Sequence, residues 1–179
     1  MERTVREAFP ELAHIDDADL RAGVVDAWTT AMADNGLEDL DSVPWFPPAQ
    51  RDSNIDDEWL VPHVRDVVAG AAALAEMLEE RRGAELSLDT VIAGALVHDV
   101  SKLYEFDGFE ETPVGALLGH PYYGVHVVAA ADLPVELAHA VLSHTDLTPV
   151  DPATLEAVAI KRADEAAAAA IRADAGTLR

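Results

Sequence analysis

The sequence contains no cysteine. Disulfide bonds and thiolate zinc sites are therefore excluded, so any metal ion has to be held by histidine and carboxylate groups. Long apolar runs are also missing, since no stretch reaches the roughly 18 consecutive apolar residues that a membrane-spanning helix needs. The N-terminus shows no apolar segment of a secretory signal. We therefore expect a cytoplasmic protein without membrane association.

Positive charge is scarce. Lys and Arg total 12 against 34 Asp and Glu, which gives a formal net charge of −22, and the only lysines are Lys102 and Lys161. Duplex nucleic acid is not an expected partner, because binding it without sequence preference requires Lys and Arg to neutralise phosphates. An acidic surface of this kind repels itself unless salt screens it. We hypothesise a high-salt, halophile-type cytoplasm, which full stability in dilute buffer would contradict.

The apolar periodicity predicts an all-α fold, a helical bundle of about six helices. Capping residues and prolines at first turns mark the helix starts, and no alternating β pattern of useful length occurs. The predicted helices run from Asp16 or Asp17 to Gly36, from Pro62 to Arg82, from Ser87 or Asp89 through Leu103, from Pro121 to Ala131, from Pro134 to His144, and from Pro152, capped by Asp151, to about Ala173.

Ionisable side chains fall on helix faces that are otherwise apolar. His63 shares a face with Val67 and Leu74, and for this residue alone a core histidine bonded to a backbone carbonyl is the alternative interpretation. Asp99 follows His98 directly in an almost wholly apolar helix. Because aspartate is almost never buried unpaired, Asp99 requires an arginine partner or a bound cation.

Further along the chain, other ionisable side chains also lie on apolar helix faces. Asp164 lies in the apolar stripe of the last helix, where a salt bridge to a flanking basic residue is the alternative. His144 lies on the inward face of its own helix. His120 and His126 project on different faces, and we favour His120 because loop-to-helix junctions commonly carry site residues.

Together these groups form a candidate metal site built from nitrogen and oxygen donors. Its predicted ligands are His63, His98, Asp99, His120, His144 and Asp164. Such a set suits zinc, manganese, iron or a similar divalent ion. Six protein ligands exceed what one catalytic ion with open positions uses, so we predict two ions bridged by Asp99, which activate water for hydrolysis.

Lys102 lies about one helical turn after Asp99. We predict that it binds a substrate phosphate and offsets charge in the transition state, so Asp99 and Lys102 are the candidate catalytic residues. The alternative is a simple ion pair of Lys102 with Asp99 or with Glu105.

The segments ALVHDVSK, GHPYYGVHVV, AVLSHTD and IKRADEA, preceded by His63, resemble the motifs of the HD-domain superfamily of metal-dependent phosphohydrolases. The resemblance covers about residues 62–173 and implies the six-ligand branch with two metal ions. Its expected substrate is a small phosphate ester or a nucleotide-like molecule. It divides the chain into an N-terminal helical segment with a proline-containing loop, residues 1–57, packed on an HD-type metal-binding helical domain, residues 58–179.

Two other functions stay open. The same six-ligand arrangement is similar to that of di-iron oxygenases on this fold, which act on hydroxylated small molecules. A regulatory module without catalysis is the third class. The proline-containing loop, Leu37 to Asp57, carries Trp45 and Phe46 with Trp59 nearby, and it is a candidate to cover the pocket, although an ordinary packed loop is the alternative.

Overall fold

The computed structural model describes residues 1–177, and the fold is all-α, as predicted. The described residues form ten α-helices, one 3₁₀ helix and one small hairpin. The helices are α1 (Glu2–Ala8), the 3₁₀ helix (Pro10–His14), α2 (Ala18–Asp34), α3 (Pro47–Ser53), α4 (Leu60–Arg82), α5 (Leu88–Val97), α6 (Lys102–Glu105), α7 (Pro113–Leu117), α8 (His120–Ala130), α9 (Val135–Ser143) and α10 (Leu155–Asp174), with strands β1 (Phe106–Asp107) and β2 (Glu110–Glu111). None of the described helices combines the length and apolarity that a membrane crossing demands.

The caps of the long helices follow local chemistry. Asp17 caps α2, since its carboxylate accepts hydrogen bonds from the backbone N–H of Asp19 and of Leu20. Helix α4 ends at Gly83, whose φ of 64° places it in the left-handed region that glycine tolerates. The predicted cap of α10 is wrong: Thr154 rather than Asp151 caps this helix.

The predicted helix through Leu103 is interrupted. Helix α5 ends at Val97, a turn covers residues 98–101, and α6 follows. In this turn Val100 N–H and Lys102 N–H each donate to the carbonyl three residues earlier, at 3.2 and 3.0 Å. Residues three apart eclipse each other in such a tightened turn, which brings Lys102 directly over Asp99.

Short elements occupy two of the segments between the predicted helices. Helix α3 lies inside the proline-containing loop, and the hairpin and α7 lie between Tyr104 and Gly119. Pro47 and Pro113 stand in the first turns of α3 and α7. These helices are too short to show a helical period in the sequence, which is why only the six longer helices were predicted.

The core joins the N-terminal segment to the helices that carry the candidate site. Trp28 of α2 is fully buried, and its Nε1–H donates to the Leu96 carbonyl of α5 at 2.9 Å. Helices α4 and α10 approach closely, because a Cβ on Gly70 would lie only 3.1 Å from Ala163 Cβ. His63 and Asp164 lie on these two helices, so their close packing helps to bring the two side chains together.

Candidate metal centre

All six predicted ligands lie around one point, together with Lys102. They come from different elements: His63 from the first turn of α4, His98 and Asp99 from the turn after α5, His120 from the start of α8, His144 from the residue after α9, and Asp164 from α10. The four histidines and Asp99 are buried, at 4% exposed or less. The Asp164 side chain is 17% exposed.

Asp99 lies at the middle of the cluster. Its Oδ2 atom is 3.5 Å from His63 Nε2 and 3.3 Å from His98 Nε2. Its Oδ1 atom is 3.6 Å from His120 Nε2 and 3.7 Å from His144 Nε2. Each oxygen therefore faces its own pair of imidazoles. The two resulting groups of three donors, each within 4.8 Å of one another, can each hold a metal ion.

Asp164 completes the side of the cluster that contains His63. Its Oδ1 atom is 3.0 Å from His63 Nε2 and 3.8 Å from His98 Nε2. The alternative salt bridge to a flanking basic residue is not formed, because Lys161 pairs with Asp146 and Arg162 pairs with Glu165. Asp164 therefore keeps its carboxylate for the cluster.

The backbone sets the orientation of two of the imidazoles. His98 Nδ1 lies 2.6 Å from the Ala95 carbonyl, and His144 Nδ1 lies 2.6 Å from the Val141 carbonyl. Since a carbonyl only accepts, each Nδ1 carries the proton and donates it. In the neutral imidazole each Nε2 is then left with a lone pair directed at the cluster, the form in which a histidine binds a metal ion.

His120 is oriented by a carboxylate that sequence reasoning missed. His120 Nδ1 donates to Glu105 Oε2 at 3.0 Å, and the His120 backbone N–H donates to Glu105 Oε1 at 3.3 Å. Glu105 was considered only as an ion-pair partner of Lys102. A carboxylate behind a ligating imidazole fixes the ring and raises its basicity. No spacing rule connects residues 105 and 120, so only the folded chain reveals this contact.

Replacing Glu105 by glutamine is expected to lower kcat/KM by about 10–100-fold and to weaken metal binding, because the amide supports the His120 ring less strongly. Activity and metal content per chain, measured side by side, check this expectation. Glu110→Gln, on the exposed strand β2, is the matched control and is expected to behave like the wild type. An equal loss in both variants would contradict a specific role for Glu105.

Unpartnered polar atoms concentrate at the cluster. Among the described residues, seven buried side-chain N or O atoms have no hydrogen-bond partner, and five of them belong to His63, His98 and Asp99. Such atoms cost free energy unless another group satisfies them. Lys102 Nζ lies 2.6 Å from Asp99 Oδ2, but it leaves the remaining atoms without partners. Their chemistry, imidazole nitrogen and carboxylate oxygen, fits divalent metal ions.

The charges of the cluster also suit a cation. Burial raises the pKa of Asp99, but the positive charges of Lys102 and His98 outweigh this effect and hold the pKa well below its usual range. Burial also raises the pKa of Asp164, while the neighbouring His63 imidazole lowers it, to about 2. Burial and the neighbouring His98 lower the pKa of His144 to about 3. At neutral pH these groups are therefore deprotonated, as metal ligation requires.

A cavity of about 190 Å³ opens onto the cluster. Asp99, Lys102, His120, His144 and Asp164 line part of its wall, and Trp45, Phe46, Thr145, Leu147, Ala168 and Arg172 line the rest. The Lys102 ammonium group is buried and lies 5.1 Å from the centre of the Phe46 ring. Lys102 thus forms the ion pair with Asp99 and also faces the space that a substrate can enter.

The chain is similar to known proteins of one family. Residues 61–169 match the HD domain family. The chain is 32% identical over 177 residues to the dihydroneopterin 2',3'-cyclic phosphate phosphodiesterase of Methanocaldococcus jannaschii, in an alignment that covers 93% of this chain and 68% of that protein. No solved structure matches the chain.

Proposed function

Because this chain belongs to the HD domain family, we propose that it is a metal-dependent phosphodiesterase that opens a small cyclic phosphodiester with the help of two divalent ions. The family match and the phosphodiesterase relative make it a hydrolase of phosphoric esters. The cyclic ester and the number of ions are the parts that we propose.

One observation carries the proposal, the position of Asp99 between two pairs of imidazoles. Each carboxylate oxygen of Asp99 lies within 3.3–3.7 Å of two imidazole nitrogens, which supports two ions that share this aspartate. Asp164 adds a second carboxylate on one side only. That asymmetry leaves the side of His120 and His144 with fewer protein donors, and therefore with more room for water and substrate oxygens.

The ions, when bound, supply an activated water and positive charge beside the phosphate. The chain's own residues hold and orient the reacting groups. The Nε2 atoms of the histidines and the carboxylates of Asp99 and Asp164 fix the centre. Lys102 supplies a buried ammonium at the cavity wall, where it can bind a phosphate oxygen and offset the negative charge that develops as the ester bond breaks.

The proposed substrate follows from the relative and from the cavity. The relative acts, by its name, on a 2',3'-cyclic phosphate. Opening a cyclic phosphodiester adds one water, breaks one P–O bond and leaves a monoester and a free hydroxyl group. The whole product stays in one molecule, so the site needs no second compartment for a leaving group, in keeping with a cavity of about 190 Å³.

An assay with defined cyclic esters tests this proposal. Protein loaded with manganese, iron or zinc is incubated with guanosine 2',3'-cyclic phosphate and with glycerol 1,2-cyclic phosphate, in air and without dioxygen. We expect metal-dependent conversion to the monoesters at equal rates under both atmospheres. Turnover that requires dioxygen, or the absence of ester hydrolysis with every metal, would contradict the proposal and favour the oxygenase class.

A further inference from the structure

The cavity is lined by two chemically different sets of side chains. One set is the polar and charged groups of the cluster, whereas the other set, Trp45, Phe46, Leu147 and Ala168, is largely apolar. Arg172 also lines the cavity and adds a basic group outside the cluster. A substrate that contacts both sets therefore combines a phosphate with an apolar or aromatic part.

Three of the lining groups outside the cluster present flat π-surfaces. Trp45 and Phe46 are aromatic, and the Arg172 guanidinium lies over the Trp45 ring, 5.7 Å from its centre. Trp45 is only 3% exposed, since it packs in a small apolar cluster with Ala168 and Ile171. Trp45 is thus a buried support that holds Arg172 in place. Phe46 is half-buried and is the aromatic ring with more free surface.

The Arg172 guanidinium is not engaged by a carboxylate. Within residues 1–177 it has no carboxylate oxygen within 4.0 Å, as is also true of Arg6, Arg21, Arg51, Arg81 and Arg82. The group faces the cavity from α10, two turns beyond Asp164. A delocalised guanidinium stacks on planar rings as well as binding anions. Its free face is therefore available to a planar ligand.

Phe46 and Arg172 also line a second depression, between α3 and α10. These two side chains therefore border both spaces. A different cavity, lined by Val43, Pro44 and Leu103, borders Lys102 as well, but it does not include the ligand residues and meets the centre only at that lysine.

We infer that Trp45, Phe46 and Arg172 form a subsite for a planar heteroaromatic ring, which selects ring-bearing cyclic phosphates over ringless ones. The inference rests on the proposed function for the position of the phosphate. The ring lies against Phe46 and the Arg172 guanidinium, and Trp45 holds the guanidinium from behind. All three residues lie outside residues 61–169, the part that matches the family.

The test compares two substrates that share the reacting group. Guanosine 2',3'-cyclic phosphate carries a ring, and glycerol 1,2-cyclic phosphate does not. We expect the wild type to prefer the ring-bearing ester in kcat/KM, mostly through a lower KM. Arg172→Gln and Phe46→Leu are expected to reduce this preference by about tenfold each, as expected for loss of one stacking contact. Arg162→Gln, an exposed arginine of the same helix that pairs with Glu165, is the control and should keep the preference.

A binding measurement separates this inference from the proposed function. Guanosine 3'-monophosphate is titrated calorimetrically into the wild type and the three variants, whose melting temperatures verify that they fold. Weaker binding to Arg172→Gln and Phe46→Leu, but not to Arg162→Gln, supports the subsite even if no cyclic ester is hydrolysed. The subsite is overturned if both esters are hydrolysed without preference, if both variants keep the full preference and binding, or if guanosine 3'-monophosphate does not bind to the wild type. In each case, hydrolysis of glycerol 1,2-cyclic phosphate would still support the hydrolase proposal.

Discussion

The variant Asp99→Asn is expected to lose at least about 1,000-fold in kcat/KM for a cyclic phosphodiester, about 4 kcal/mol of transition-state stabilisation, and to retain less metal than the wild type. Asn has the shape of Asp, so packing is preserved. It lacks the negative charge, and only one of its two terminal atoms is an acceptor. The oxygen can serve one pair of imidazoles, while the NH₂ group faces the other pair without a lone pair to offer.

The measurement for this variant combines turnover with elemental analysis of the purified protein. Asp26→Asn removes an exposed carboxylate of α2 and controls for the loss of one negative charge. It is expected to keep both turnover and metal. If Asp99→Asn retains activity and its full metal content, Asp99 does not link two ions, and the role proposed for this residue in the centre is wrong.

The sequence was informative about the site wherever burial is costly. His63, Asp99, His144 and Asp164 lie on apolar faces of the predicted helices, and an ionisable group there needs a partner whatever the details of the fold. Prolines and caps located the six long helices for a related reason, since they act within one turn of the residue that carries them. Both signals are local, and both can be read without knowing which helices touch.

The features of the site that the sequence did not predict depend on contacts between distant segments. Glu105 is an ordinary acidic residue in the sequence, and it acquires its role only because α6 packs near the start of α8, where its carboxylate meets His120. Arg172 and Phe46 meet at one cavity although 126 positions separate them in the sequence. The turn at residues 98–101 breaks a stretch with no helix-breaking residue, so tertiary packing decides it and local preference does not.

Removal of metal is expected to abolish hydrolysis and to lower the melting temperature by about 8–16 °C. A ligand that binds only the native state stabilises it by about 4 kcal/mol when present at 1,000 times its dissociation constant, and in a protein of this size each kcal/mol corresponds to about 2–4 °C. The effect has a structural origin in the unpartnered Nε2 atoms of His63 and His98 and in the carboxylate oxygens of Asp99, which face one another and which an ion satisfies. Dialysis against a chelator, followed by melting curves with and without added manganese, measures it.

The control has to separate the centre from the acidic surface. With a net charge of −22, the fold is expected to gain stability from any cation that screens its surface. The change in the melting temperature of the wild type in sodium chloride at matched ionic strength measures this general screening effect. The Asp99→Asn variant, titrated with the same metal, measures the surface contribution of the divalent ion itself. Only an increase in melting temperature that the wild type shows and the variant lacks is caused by metal binding at the centre. Equal shifts in both proteins would assign the stabilisation to surface screening and would contradict metal binding at the buried cluster.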